Sequence, residues 1–292
     1  MTAAATKAAA PASREAPAIV LSLLTWSTRE VSRESLAALA VEAERLRAAG
    51  AEPEVVVCDN GSTDGSAAML RAAGERLAVP FQLLVNERNL GSSRARNQIL
   101  DHLLGTRAGY LLLMDGDVEI VPGSAVAMLR HLAASEPRVG AIGAHSHGQT
   151  DRRELATPYL ESVRSLPAGA VSDDRAALWV AWTQYGLFRR AVFEAGVRFD
   201  ESPPFDGPGW GCEDVDLAFQ MHCKGFYSQV LTGMTYLHRA VNSSIPLLRQ
   251  LGLDPRADYE RRRRYVIEKW QGSGLGGPTL AYLRSAAAEP RF

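Results

Sequence analysis

The sequence predicts an α/β fold, a single domain with a mostly parallel central sheet and helices on both of its faces. Short apolar segments alternate with amphipathic stretches over the first 135 residues, an order typical of a parallel sheet covered on both sides by helices. Of the 292 residues, 46% are hydrophobic and 22% are charged, so the chain can bury a sizeable core. No internal repeat or linker divides it into two domains.

The individual elements follow from two patterns. Short apolar runs indicate buried strands at residues 18–25, 54–59, 81–87 and 110–115. Apolar residues at helical spacing indicate helices at 34–50, at 66–76, at 92–104 and from Pro122 to about 134. The second half is less regular, and residues 145–176 indicate a loop-rich excursion.

The charge balance and the cysteine content exclude several kinds of partner and location. The net charge is −1 and the pI is near 6.6, so no overall field attracts the chain to nucleic acid or anionic lipid. Three cysteines form no disulfide framework and fit a reducing compartment. Residues 1–17 predict a disordered tail, and the apolar run 19–24 is too short to span a bilayer. We therefore expect a cytoplasmic protein without a transmembrane segment or a nucleic-acid partner.

Polar residues follow several predicted strands at the point where each strand ends. Thr25 closes the first strand, Asp59 closes the second, and Asp115 and Asp117 follow the fourth in "LLLMDGDVEI". Ligands of open parallel sheets bind beyond the carboxyl ends of the strands, so we expect these side chains to face one site. Two carboxylates around Gly116 suit Mg²⁺ or Mn²⁺ with a diphosphate as a further ligand. A strand-ending turn with solvated acids is the alternative.

The stretch "GWGCEDVDLAF", residues 209–219, places three carboxylates among glycines, a tryptophan and apolar residues. Such neighbours suggest a cleft, since solvated acids usually have polar neighbours. A helical pattern covers residues 213–223, with Val215 and Phe219 on one face and Asp216 on the other. Helix capping is the alternative interpretation, because the helix dipole stabilises an acid in the first turn.

Six motifs, taken in order, resemble those of a family 2-type glycosyltransferase of the GT-A fold. They are "VVVCDNGSTDGS", "NERNLGSSRARNQIL", "LLLMDGDVEI", "YGLFRRAVFEAGVRFDE", "GWGCEDVDLAFQMHCKGF" and "YVIEKW". The fifth resembles the W-G-x-E-D element of galactosyltransferase-like members. The resemblance implies one GT-A domain over residues 18–271, with the disordered tail at 1–17 and a C-terminal extension at 272–292.

The resemblance assigns the donor and its metal ion to individual residues. Asp59 would accept a hydrogen bond from uracil N3–H and so favour a UDP-sugar, and Arg96 would lie near the nucleotide and its phosphates. Asp115 would face the ribose or a metal-bound water, while Asp117 and His238 would bind the metal. A histidine beside a carboxylate suits Mn²⁺ better than Mg²⁺. A structural or surface role is the alternative for His238.

The same resemblance assigns the chemical step to the paired acids that follow Gly211. Asp214 would be the general base that takes the acceptor proton during an inverting transfer, and Glu213 would hold the acceptor or the donor sugar. Trp210 would pack against a sugar face as part of donor binding. We expect the helix dipole to keep the pKa of Asp214 low, which makes it a modest base. The transferred sugar would be a hexose or an N-acetylhexosamine.

Three features leave alternatives open. "LLTWSTRE" departs from the Pro-Thr-Tyr-Asn that is common in the family, and Trp26 would take the aromatic residue's place on the base. The aromatic stretch with Trp179, Trp182 and Tyr185 would shape the pocket of a saccharide, peptide or small-molecule acceptor. The basic run 260–265 indicates a solvated helix face or, alternatively, a segment that closes over the diphosphate.

Three rival interpretations have less support in the sequence. The first is a zinc site with Cys212, His222, Cys223 and His238 as ligands. It is disfavoured because the chain has no C-x-x-C pair. A sugar-1-phosphate nucleotidyltransferase would need a glycine-rich, basic loop after the first strand, and "LLTWSTRE" has no glycine. A non-catalytic nucleotide-sugar-binding protein of the same fold would not need the complete set of metal-binding and catalytic residues.

Overall fold

The structure, a computed structural model, describes residues 16–147, 171–173, 183–209, 211–239, 244–275 and 277–285. All four strands and four helices predicted for the first 135 residues are present. The strands are β1 (Ala18–Thr25), β2 (Glu52–Asp59), β3 (Phe81–Val85) and β4 (Tyr110–Met114). The helices are α1 (Arg29–Ala48), α2 (Ser66–Gly74), α3 (Ser92–Gly105) and α4 (Ser124–Ala134).

Two helices begin at other residues than predicted. α1 begins at Arg29, earlier than its apolar pattern indicates. α4 begins at Ser124, because Pro122 lies in the preceding turn. The amino end of α4 is capped from α1, where the buried carboxylate of Glu42 accepts hydrogen bonds from backbone N–H groups that include that of Ala125. A cap supplied by a distant residue leaves no local signal for the start of a helix.

The second half adds further strands and helices to the described structure. The strands are β5 (Val118–Ile120), β6 (Val139–His147), β7 (Val171–Asp173), β8 (Tyr185–Arg189) and β9 (Tyr227–His238). The helices are α5 (Arg190–Glu194), α6 (Glu213–Cys223), α7 (Ser244–Gln250), α8 (Pro255–Trp270) and α9 (Gly277–Arg284). α6 has the predicted bounds, and most of the predicted excursion at 145–176 lies outside the described residues. No described helix is both long enough and apolar enough to cross a bilayer.

The strands form one sheet in the order β3-β2-β1-β4-β8-β6-β9-β5, and β7 pairs with β9. Neighbours among β1, β2, β3 and β4 are parallel, whereas β8 runs antiparallel to β4 and β6. The carboxyl ends of β1, β2 and β4 meet at one edge, since Thr25 pairs with Asp59 and Leu24 forms a bridge with Asp115. The predicted α/β fold class is confirmed, and its sheet places the strand-end acids side by side.

Helices cover both faces of the sheet, as predicted. Successive residues of β1 point to opposite faces, so that Leu21 belongs to one buried cluster and Val20 to another. Leu39 of α1 packs in the first cluster, and Ile99 of α3 and Leu217 of α6 pack in the second. A third cluster joins α6 to α8 and α9. The limits given above for the domain and its two extensions stay predictions.

A buried carboxylate attaches α8 to α6. Oδ1 of Asp216 accepts a hydrogen bond from Nε1 of Trp270 at 2.7 Å and lies 2.8 Å from Nζ of Lys269. The ring of Trp270 stacks on that of Phe219 with 5.2 Å between centroids. The sequence predicted Asp216 on the face of α6 opposite Phe219, and the structure shows that Asp216 is buried as well. α8 therefore holds the helix that begins with the paired acids.

Candidate active site at the carboxyl edge of the sheet

Asp115, Asp117 and His238 form a compact cluster at the carboxyl edge of the sheet. One ligand atom of each residue lies within 4.8 Å of the others, and Nε2 of His238 is 3.2 Å from Oδ1 of Asp117. The register of β5 against β9 causes this proximity, because it pairs Val118 with His238. The residues to which the sequence assigned the metal are thus brought together, with Asp115 beside them.

The donor atoms of this cluster fit a divalent ion. Two carboxylates and one imidazole combine hard oxygen ligands with a nitrogen ligand, a set that suits Mn²⁺ better than Mg²⁺. All three side chains are half-buried. Burial raises the pKa of Asp115, and the charge of Asp117 adds to that effect while Arg96 opposes it. A divalent cation would relieve the repulsion between the two acids.

Gly116 allows the sharp turn between the two acids. Its N–H donates to the carbonyl of Leu24 at 2.7 Å, and a Cβ at this position would lie only 2.9 Å from the side chain of Thr25. The carbonyl of Asp117 accepts a hydrogen bond from the N–H of Arg239 at 2.9 Å. These backbone contacts fix the turn against β1 on one side and the end of β9 on the other.

Thr25 ends β1 and is predicted to contact the donor nucleotide sugar. Its hydroxyl forms hydrogen bonds with other residues of the chain. Its hydroxyl lies 3.0 Å from that of Thr28 and also contacts that of Ser32. The three hydroxyl groups link the end of β1 to the start of α1. A contact of Thr25 with the donor stays a prediction.

Asp59 is fully buried at the end of β2. Its Oδ1 accepts a hydrogen bond from the N–H of Ser62 at 2.7 Å, whereas Oδ2 is buried without a hydrogen-bond partner among the described residues. Trp26 closes the neighbouring loop, since its indole Nε1 donates to the carbonyl of Gly61 at 3.2 Å. A buried acceptor without a donor is unfavourable, so Oδ2 of Asp59 is a candidate for a hydrogen bond from a ligand.

Asn60 is a residue of this region that sequence reasoning missed. Its side chain accepts hydrogen bonds from Nδ2 of Asn86 at 3.0 Å and from the N–H of Leu90 at 3.1 Å, and it donates to the carbonyl of Gly91 at 3.2 Å. A Cβ at Gly91 would overlap with the carbonyl of Gly207. The loops before α3 and α6 therefore touch through their backbones. The asparagines of "NERNLG" were the available signal.

Arg96 connects the metal cluster with the acids at the start of α6. Its Nη2 lies 2.8 Å from Oδ1 of Asp115, and its Nη1 lies 2.9 Å from Oε1 of Glu213. Arg96 is only 4% exposed. The resemblance placed this guanidinium near the phosphates, and the structure pairs it with two carboxylates. A contact with the donor stays a prediction.

Glu213 is held in its ionised form. Its Oε1 accepts a second hydrogen bond, from the hydroxyl of Ser92 at 3.0 Å, whereas Oε2 is buried without a partner among the described residues. Burial acts to raise the pKa of Glu213, but the charges of Arg96 and Arg262 lower it overall. Oε2 of Glu213 is therefore a candidate for a hydrogen bond from a ligand, and the sugar-binding role of this carboxylate stays a prediction.

Asp214, the predicted base, lies beside Glu213 in the first turn of α6. Its Oδ1 accepts a hydrogen bond from the N–H of Val215 at 2.8 Å. Burial and the negative charge of Glu213 raise the pKa of Asp214 to about 7. The expectation that the helix dipole keeps this pKa low is wrong, because lost hydration and a neighbouring carboxylate outweigh the dipole. A carboxylate with a pKa near 7 is a stronger base than one with the usual lower pKa, and so it accepts a proton more readily.

Arg262 corrects the interpretation of the basic run 260–265 as a solvated face. It is 1% exposed, its Nε donates to Oδ2 of Asp258 at 2.9 Å, and its Nη2 donates to the carbonyl of Pro208 at 3.2 Å. A Cβ on Gly209 would overlap with this guanidinium. Arg262 thus anchors the loop that leads to Trp210, which lies outside the described residues. The i,i+4 spacing of Asp258 and Arg262 was the available signal.

The sequence predicted that Tyr185 lines an acceptor pocket, and this prediction is wrong. Tyr185 is fully buried in the core, its hydroxyl lies 2.6 Å from that of Ser124, and its ring contacts Tyr236. Burial raises the pKa of its hydroxyl. Trp179 and Trp182, the other aromatic residues of this prediction, lie outside the described residues.

The zinc hypothesis finds no support in the part of the chain that the structure describes. Within that part, the group of histidines, cysteines and acids close enough to share a metal ion is the cluster described above. Cys212 is buried and Cys223 is exposed. Cys212 has a φ of +69°, a left-handed conformation that glycine adopts more readily than cysteine does.

The mostly parallel sheet, with helices on both faces and acids at its carboxyl edge, has the architecture of the GT-A fold. The chain belongs to glycosyl transferase family 2, because the sequence model of that family matches residues 34–196, more than half of the chain. Curated relatives include the validoxylamine A glucosyltransferases of Streptomyces hygroscopicus subsp. jinggangensis and subsp. limoneus. Each is 26% identical over 191 residues, which cover 59% of this chain. The chain spans 44% and 41% of the length of these two relatives.

Solved structures share the fold. The mannosyltransferase PcManGT from Pyrobaculum calidifontis, in complex with GDP-Man and Mn²⁺, is similar with a TM-score of 0.64 and 18% identity, over 93% of this chain and 71% of that one. TarS of S. aureus in complex with UDP has a TM-score of 0.56 and 15% identity, over 91% and 69%. At such identities the similarity shows the fold alone.

Proposed function

We propose that the protein is a metal-dependent, inverting glycosyltransferase that moves a hexose or an N-acetylhexosamine from a UDP-sugar to an acceptor. The observation that carries this proposal is the position of Arg96, which binds Asp115 of the metal cluster and Glu213 beside Asp214. One guanidinium therefore joins the residues proposed for the donor to those proposed for the acceptor. The pKa of Asp214, which burial and the charge of Glu213 raise to about 7, supports a catalytic protein over a non-catalytic binding protein.

The donor is proposed to be a uridine nucleotide. Oδ2 of Asp59, buried and without a partner among the described residues, can accept the N3–H of uracil at the end of β2. The similar structures were obtained with GDP-Man in one case and UDP in another. The identity of the nucleobase in the donor therefore needs a direct test. A comparison of UDP-sugars with GDP-mannose in a turnover assay decides between them, and preference for the guanine nucleotide would remove this role of Asp59.

The metal ion is proposed to be Mn²⁺, with Mg²⁺ as the substitute, held by Asp117 and His238 beside Asp115. When bound there, the ion would neutralise the charge of the departing diphosphate. The contribution of the chain is to place the three side chains within 4.8 Å of one another before the ion arrives. Arg96 balances the charge of Asp115 from the protein side.

The proton transfer is assigned to Asp214. Its carboxylate takes the proton of the acceptor hydroxyl while the acceptor oxygen bonds to the anomeric carbon of the sugar. The bond between that carbon and the diphosphate oxygen breaks in the same step, and UDP leaves. A pKa of about 7 makes Asp214 basic enough to accept this proton at neutral pH. Glu213 stays ionised through its pairing with Arg96, and its second oxygen is assigned to a sugar hydroxyl. A single displacement of this kind inverts the anomeric centre.

The acceptor is proposed to be a saccharide, a peptide or a small molecule. The curated relatives are named validoxylamine A glucosyltransferases, which makes validoxylamine A the first small-molecule acceptor to test. The cytoplasmic location, the lack of a nucleic-acid partner and the sugar-packing role of Trp210 stay predictions.

The test is a screen of UDP-sugars with Mn²⁺ that follows both UDP release and the anomeric configuration of the product. We expect release to require Mn²⁺ and the product to have the inverted configuration. Retention of configuration would overturn the role of Asp214, and absence of any turnover together with tight UDP-sugar binding would overturn the enzymatic function.

A further inference from the structure

Ser35 of α1 reaches the Asp-Gly-Asp turn from outside the motif. Its hydroxyl oxygen lies 3.0 Å from the carbonyl oxygen of Gly116 and 3.0 Å from that of Val118. These two carbonyls flank Asp117 on either side. Ser35 is 3% exposed, so its hydroxyl is the donor for buried carbonyls that water does not reach.

Other backbone hydrogen bonds of the turn are made to the ends of strands and not to α1. The N–H of Gly116 donates to the carbonyl of Leu24, and the carbonyl of Asp117 accepts from the N–H of Arg239. Ser35 adds a single hydroxyl donor that both flanking carbonyls share. It therefore limits the rotation of the Gly116–Asp117 peptide group, which precedes Asp117, and of the Val118–Glu119 peptide group, one residue beyond it. Together they restrict the direction of the Asp117 side chain.

We propose that Ser35 is a positioning residue for metal binding, which acts through the backbone on the carboxylate of Asp117. The inference rests on the proposed metal-dependent function. The carboxylate of Asp117 lies 3.2 Å from His238, and metal sites tolerate deviations of only about 0.2 Å in their ligand distances. A turn that loses its hydroxyl contact would hold the same ligands in a less suitable arrangement.

Plain loss of stability is the competing explanation for any effect of a Ser35 variant. Ser22 offers a matched control, because its hydroxyl is also fully buried and donates to a backbone carbonyl, that of Leu112, at 2.8 Å. Leu112 lies inside β4, before the turn begins. Ser35→Ala and Ser22→Ala therefore each remove a buried hydroxyl that donates to backbone carbonyls, but only Ser35 contacts the turn that carries a proposed metal ligand.

The experiment titrates Mn²⁺ into the full chain, followed by the electron paramagnetic resonance signal of the free ion, first with Mn²⁺ alone and then with UDP present. We expect Ser35→Ala to raise the Kd for Mn²⁺ by about tenfold or more, in the range that loss of such outer contacts causes. Ser22→Ala is expected to keep the Kd of the wild type while it lowers the melting temperature to a similar degree. In turnover assays, Ser35→Ala should need more Mn²⁺ for half-maximal rate and should recover its kcat at saturating Mn²⁺.

Two outcomes would overturn the inference in different ways. If the wild type binds Mn²⁺ and Ser35→Ala binds it equally well, or if both serine variants weaken binding alike, the positioning role is wrong and the metal site stands. If the wild type itself binds no Mn²⁺ with or without UDP, the metal-dependent function fails, and the role of Ser35 fails with it.

Discussion

Nε2 of His238 lies 3.2 Å from Oδ1 of Asp117, although one residue ends β9 and the other follows β4. The antiparallel pairing of β5 with β9 produces this contact, since it sets His238 opposite Val118. The candidate metal site is therefore a product of strand register. A shift of one residue in that register would turn the imidazole to the other face of the sheet.

Removal of the imidazole tests this relationship. His238→Ala should weaken Mn²⁺ binding by about tenfold or more, because it deletes one of the two proposed protein ligands. His131→Ala is the control, since His131 is also half-buried and hydrogen-bonded, to Gln229, but lies on α4. Calorimetric titration with Mn²⁺ and UDP measures the effect. Equal affinities for both variants would exclude His238 as a ligand.

The base assignment predicts a loss of rate without a loss of donor affinity. Asp214→Asn should lower kcat by about 10²–10⁴-fold, the usual contribution of a positioned proton acceptor, while the Kd for UDP changes little. Asp206→Asn, an exposed acid in the preceding loop, should behave as the wild type. Near-normal turnover of Asp214→Asn would remove this residue from the base role.

The pKa of Asp214 predicts the pH dependence of the reaction. Because the base must be ionised and its pKa is raised to about 7, kcat/KM should increase with pH up to a midpoint near 7 and then level off. Glu213→Gln removes the negative charge that helps to raise this pKa, so the midpoint should move to lower pH, whatever the loss in rate. Glu194→Gln, a surface acid paired with Arg190, should leave the midpoint in place. A midpoint that does not respond to Glu213 would contradict the assignment.

Arg96 is expected to be essential for stability as well as for activity. Arg96→Met leaves Asp115 and Glu213 without their buried partner and should lower the free energy of unfolding by about 3–5 kcal/mol at pH 7.5. The loss should diminish at pH 5, since protonation of the unpaired carboxylates becomes easier in the folded protein. Urea titrations at both pH values measure it. If the loss in the free energy of unfolding is larger at pH 5 than at pH 7.5, Arg96 does not stabilise the protein by pairing with these two carboxylates.

A substitution of Gly209 tests whether Arg262 anchors the loop before α6. Gly209→Ala should destabilise the protein by about 1–3 kcal/mol, because the new Cβ would overlap with the buried guanidinium of Arg262. Gly272→Ala is the control, since nothing lies within 4 Å of a Cβ at that position. Thermal unfolding of both variants gives the comparison, and equal melting temperatures would refute the anchoring role of Arg262.

Much of the site could be predicted because its acids lie at the ends of strands that the sequence marks clearly. Apolar runs predicted β1, β2 and β4, and Asp59 and Asp115 follow from where two of these strands end. The roles of Ser35 and Asn60 could not be predicted, since serine and asparagine are common in helices and loops and acquire a role only through the carbonyl or amide they meet.

The sequence by itself determined the α/β alternation, the acids at the carboxyl edge and the paired acids that open α6, because each depends on neighbours within a few positions. The motifs of the sequence predicted His238 and Asp117 at one metal site. Only the tertiary structure decided the strand register that brings them together, the position of Arg96 between two carboxylates and the burial of Arg262. The physical reason is that burial and charge pairing depend on segments far apart in the chain. The same reason explains the pKa of Asp214, which burial and the charge of Glu213 raise against the helix dipole.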